Sequence, residues 1–178
     1  MKSILRVAAG ILAWASLASV VAAPSFAQAP APNPGTVQKG ARVTTMHARG
    51  PFDVKLAPQP TSDTSEGSPL GRMSIDKQYH GELDATARGE MLSAMTAVKG
   101  SGVYVAVEKV SGTLGGKAGT FLLHHTGVMA RGTPQLSITV VPDSGTGQLE
   151  GLAGTMKIDI APDGKHSYDF EYTIAKAP

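Results

Sequence analysis

Residues 156–174 read MKIDIAPDGKHSYDFEYTI. Met156, Ile158 and Ile160 alternate with Lys157 and Asp159; Tyr168, Phe170, Tyr172 and Ile174 alternate with Asp169, Glu171 and Thr173. A period of two puts successive side chains on opposite faces of a strand. Asp163-Gly164 between the runs is a hairpin signal. The stretch therefore reads as two antiparallel strands, each with one apolar wall.

The same period recurs upstream. Met73, Ile75 and Tyr79 share a face within Arg72–His80, with Lys77 as the exception. Val103, Val105 and Val107 alternate with Tyr104, Ala106, Glu108 and Val110. Phe121, Leu123 and His125 share a face, as do Leu136, Ile138 and Val140. Strands around 43–56 and 85–96 bring the count to about eight. The first is interrupted at Gly50-Pro51, which suits a bulge or an edge position. Residues 84–98 carry helix-favouring Ala, Glu and Met, but Gly89 in the middle and the surrounding strands favour β. Gly100–Gly102, Gly115-Gly116, Arg131-Gly132 and Asp143–Gly147 punctuate the runs, and residues 57–69 form a polar loop with three prolines. The fold class is all-β. Short antiparallel strands hide their edges in a closed barrel or a two-sheet sandwich. Eight strands make a barrel that side chains fill or that holds one small ligand.

The chain has 178 residues, 16 Lys and Arg, 14 Asp and Glu, and no Cys. Zero Cys excludes a disulfide framework, a thiolate metal site and a Cys nucleophile. Residues 1–27 have the layout of a secretory signal peptide: Lys2 and Arg6, then an uncharged apolar run to Ala23, then Pro24 and small residues. A membrane anchor is the competing reading, but the run is short for a span and no basic stop-transfer cluster follows. Cleavage after Ala27, or alternatively Ala29, removes Lys2, Arg6 and the lone Trp14. The mature chain then carries 14 basic and 14 acidic residues, with no electrostatic pull toward nucleic acid or anionic membrane. Residues 28–41 read as a flexible Pro/Ala-rich leader and 42–178 as one domain, periplasmic or secreted.

Six blocks carry a family resemblance: GPFDVKL (50–56), LGRMSIDKQYHGELDATARGEML (70–92), GVYVAVEKVSGTL (102–114), GTFLLHHTGVM (119–129), VVPDSGTGQLEGLAGTM (140–156) and GKHSYDFEYTI (164–174). From Gly50 to Tyr172 the chain resembles the bacterial family called domain of unknown function 3224. The resemblance implies a single antiparallel eight-stranded barrel, calycin-like and similar to allene oxide cyclase and the plant dirigent proteins. It implies no reaction and no catalytic residues. Self-association is compatible with it, since the related barrels assemble.

Several residues could carry chemistry. Ser144-Gly145-Thr146-Gly147 lacks the Lys-Ser/Thr of a phosphate loop and reads as a Gly-rich turn. His124 and His125 point to opposite faces and cannot chelate one ion; parity gives His125 to the face of Phe121 and Leu123. His80 and Glu82 share a face and have the composition of part of a metal set, but a polar outward face explains them better, and no metal is expected. The catalytic candidates are Glu90, Tyr104, Glu108 and His125; the ligand-binding candidates are Tyr104, His125 and Tyr168. A carboxylate inside an apolar barrel has a raised pKa and can act as acid or base. The expected inner wall of the fourth strand is its valine face, which leaves Tyr104 and Glu108 outside; the opposite parity brings them inside. The functional expectation is a barrel that binds a small apolar ligand. The alternatives are a cofactor-free cyclase or isomerase using a buried carboxylate or Tyr, and a structural module with a filled barrel.

Overall fold

The computed structural model describes residues 44–175. The signal peptide and the leader expected over 1–41 lie outside the described residues. Eight strands follow in chain order: β1 (Met46–Gln59), β2 (Leu70–Tyr79), β3 (Leu83–Met95), β4 (Gly102–Leu114), β5 (Lys117–Ala130), β6 (Thr133–Val140), β7 (Leu152–Ile160) and β8 (His166–Ile174). Each pairs antiparallel with the next, and β1 pairs with β8, closing the barrel. The stretch 84–98 is strand through Met95, as its context indicated. Gly115 and Gly116 both have positive φ (55° and 77°), the geometry that lets a two-residue turn follow the twist of β4 and β5.

The break expected at Gly50-Pro51 is neither a bulge nor an edge. The ladder from β1 to β8 runs unbroken from Met46 to Phe52. Gly50 is there because the β2–β3 turn crosses it: a Cβ on Gly50 would lie 2.0 Å from the His80 carbonyl oxygen.

The loop with Gly145 and Gly147 does what a strand would otherwise do. β6 pairs with β5 from Ala130↔Thr133 to Leu123↔Val140, where its ladder ends. Beyond that point Ser144 Oγ accepts from Leu122 N–H, Thr146 Oγ1 from Thr120 N–H and Gln148 Oε1 from Ala118 N–H. A short 3-10 turn, Gly147–Leu149, then buries Leu149 in the core. These hydrogen bonds satisfy the exposed rim of β5, which accounts for the turn without any phosphate.

The meander puts alternate turns at opposite ends. One end holds the β2–β3 and β4–β5 turns and the β6–β7 loop, and it is packed solid. Phe121 stacks on Phe170, Phe170 on Tyr172, and Phe52 packs against Tyr79. Tyr168 Oη donates to the His80 carbonyl and accepts from Leu83 N–H, tying β8 to the β2–β3 turn.

The face of β4 is the reverse of the expectation. Ala106, Glu108 and Val110 are buried, whereas Val103, Val105 and Val107 are each roughly half exposed. Register decides this. Glu108 pairs with Leu123 and Val110 with Phe121, and both partners face the core. A β4 with its valines inward would need a one-residue slip against β5. The outer face of β2–β5 is left with a patch of Leu70, Leu92, Val103, Val105, Val107 and Val128.

Candidate functional site

The interior of the other end is built from small and flexible residues. Along β4 the inward side chains are Tyr104, Ala106 and Glu108. Tyr104 pairs with Ser93 and Gly127, Ala106 with Met91 and His125, and Glu108 with Gly89 and Leu123. A Cβ on Gly127 would lie 2.1 Å from Tyr104 Cε1, so the phenol ring lies directly on that glycine. A Cβ on Gly89 would lie 2.9 Å from Glu108 Cγ, so the missing side chain makes room for the glutamate.

A recess of about 330 Å³ occupies this mouth, lined in part by Met91, Met95, Tyr104, Gly127, Met129 and Leu136. Its lining is almost wholly apolar, and Met is the side chain that adapts most readily to differing shapes. A larger groove of about 570 Å³ runs outside the barrel along the patch, over Arg72, Glu90, Leu92 and Val105. Its charged pair is already satisfied: Arg72 donates to Glu90 at 2.6 and 3.0 Å. Being outside, the groove is separated by the wall from the buried ionisable groups, so the mouth is the better candidate.

Below the mouth three ionisable side chains meet. Lys77 Nζ donates to Glu108 Oε1 at 2.6 Å, and His125 Nε2 lies 3.1 Å from the same oxygen. Their side chains are 6%, 0% and 4% exposed, so water screens none of them. Lys77 Nζ also stands 5.3 Å from the Phe52 ring centre and 5.8 Å from that of Tyr79, a cation on two aromatic faces. The His125 contact is close but poorly aimed: Nε2 and Glu108 Oε2 both lack a hydrogen-bond partner among the described residues.

The carboxyl is not raised as expected for a lone buried acid. Burial pushes Glu108 up, but the His125 contact and the Lys77 charge outweigh it, and its pKa falls below the ordinary value. Burial, and then the Glu108 charge, push Tyr104 up, so its phenol stays protonated. The same two causes push Tyr79 well up, with Tyr168 adding to them.

The structure thus brings together three candidates, Tyr104, Glu108 and His125, and adds Lys77. The signal for Lys77 was present, since it interrupts the apolar face of its strand. Glu90 stands on the outer wall in its pair with Arg72. The hydroxyl of Tyr168 is bound at the β2–β3 turn, at the packed end. His80 pairs with Asp53 at 3.1 Å, and Glu82 accepts from Arg49 N–H, so they serve different partners. His124 is exposed and bonded to Thr139 Oγ1. Among the described residues no three His, Asp or Glu side chains gather as a metal site.

Comparison with known proteins fits this architecture. No curated protein matches the chain. A crystal structure of a protein with unknown function from the DUF3224 family of Shewanella oneidensis MR-1 is 49% identical to it. The match covers 76% of this chain and 99% of that one, with a TM-score of 0.69. The profile of the family described as protein of unknown function (DUF3224) matches residues 48–172, nearly the whole barrel. The chain belongs to the DUF3224 family.

Proposed function

We propose that the barrel binds a small apolar ligand in its mouth, above Glu108. One observation carries this reading: a recess of about 330 Å³ with an apolar, Met-rich lining, set over a buried group of ionisable side chains. Ligand sites are typically concave and mostly apolar, with a few convergent polar groups. A barrel filled from end to end is disfavoured by the same recess.

A second reading, a cofactor-free cyclase or isomerase, draws on Glu108 as a buried base. Its lowered pKa weighs against it, because a general base works best with a pKa near the operating pH. Binding is therefore the leading reading. It operates outside the cytoplasm if residues 1–27 are removed during export. The intact mass of protein from the periplasmic fraction tests this, with loss of residues 1–27 expected and full length overturning it.

Titration with the uncharged fluorophore N-phenyl-1-naphthylamine tests binding. The mature protein is expected to enhance its emission saturably. Leu136→Trp, which fills the mouth from a half-exposed position, is expected to weaken binding by at least about tenfold. Absence of saturable binding, or unchanged affinity in L136W, overturns the reading.

A further inference from the structure

Glu108 Oε2 and His125 Nε2 are buried side-chain atoms with no hydrogen-bond partner among the described residues. Native interiors leave few such atoms, and an ionised oxygen is the most costly to leave so. The two belong to side chains in contact, 3.1 Å apart at Glu108 Oε1. With the ring hydrogen on Nε2, His125 presents a donor that is poorly aimed at Oε1. Glu108 Oε2 is an acceptor. The cluster therefore holds one unpartnered donor and one unpartnered acceptor on side chains in contact.

We propose that the ligand of this mouth is an apolar alcohol or phenol, whose hydroxyl donates to Glu108 Oε2 and accepts from His125 Nε2. This rests on the ligand-binding reading above and names the chemistry of that ligand. A hydroxyl offers both functions on one atom. A carboxylate would bring a second negative charge against Glu108, and an ammonium would oppose both Lys77 and the His125 N–H. The recess stops short of the cluster. Between the recess and Glu108, β4 presents Tyr104 and then the small Ala106, and facing Tyr104 stands Gly127. The Tyr104 ring, only partly buried and lying on a residue without a side chain, is the group that swings aside.

The test compares 1-naphthol with 1-methoxynaphthalene, in which a methyl group replaces the hydroxyl hydrogen, in equilibrium binding to the mature protein. The naphthol is expected to bind at least about tenfold more tightly, as for a hydrogen bond to a charged group. In K77M/E108L, which removes both charges together, the ratio is expected to fall to about one. In the wild type, the ¹⁵N resonance of His125 Nε2 is expected to move when the naphthol binds. Equal affinities in the wild type overturn the hydroxyl assignment and leave the pocket standing. Binding of neither compound overturns both. A preference that survives in K77M/E108L, or an unmoved His125 resonance, overturns the role of Glu108 and His125.

Discussion

At Glu108, burial and pairing oppose each other, and pairing prevails. The carboxylate is fully buried yet ionised, because Lys77 and His125 stand against one of its oxygens. Removing one member of such a pair leaves the other charged and unpartnered. Glu108→Ala is therefore expected to cost about 3–5 kcal/mol in urea unfolding, whereas K77M/E108L stays close to the wild type. A double variant as damaged as the single one would show that the pair itself is needed for the fold. The pH dependence follows from the lowered carboxyl. Its contribution is fully present above the unfolded carboxyl value near 4.5 and is lost as pH falls through the lower folded value. Between pH 5 and 3 the wild type should lose stability more steeply than K77M/E108L, and equal slopes would remove Glu108 as the source. In the sequence Glu108 and Lys77 are 31 residues apart, and nothing local marks them as partners.

Among the elements, β6 and β7 form the weakest seam. Every other neighbouring pair shares seven or more register positions, while β6 and β7 share only Thr139↔Thr155. The loop that follows β6 turns away to cover β5 instead. In native-state hydrogen exchange the amides of β6 and β7 that face each other are expected to exchange fastest among the strand amides, and those between β3 and β4 slowest. Uniform protection around the barrel would contradict the seam. The glycines of β3 and β5 act at this scale too. Gly89→Ala puts a Cβ 2.2 Å from the Val107 carbonyl oxygen, so the β3–β4 ladder has to shift. A loss of about 1–3 kcal/mol, read as a lowered thermal midpoint, is expected. Strand existence was legible here because the period of two needs only neighbours along the chain. Which face of β4 turned inward was not, because Tyr104-Ala106-Glu108 and Val103-Val105-Val107 are equally periodic.

For the whole molecule, one end of the barrel supplies rigidity and the other supplies space. Phe170 lies fully buried between Phe121 and Tyr172 at the packed end. Phe170→Ala is expected to cost about 3–5 kcal/mol, whereas Met129→Ala at the exposed mouth should change stability by less than about 1 kcal/mol. Comparable losses at both sites would mean that the mouth is part of the core. Alternation and turn residues, both short-range properties, were enough to determine an all-β chain of about eight antiparallel strands. The blocks from Gly50 to Tyr172 were enough to point to its family. The site was decided only in three dimensions. Closure and register choose which periodic face points inward, and they bring Lys77 of β2, Glu108 of β4 and His125 of β5 to a common point inside the wall. The His125 contact and the charge of Lys77 together then reverse the pKa direction expected of a buried carboxylate, because their combined pull on the ionised form outweighs the cost of burial.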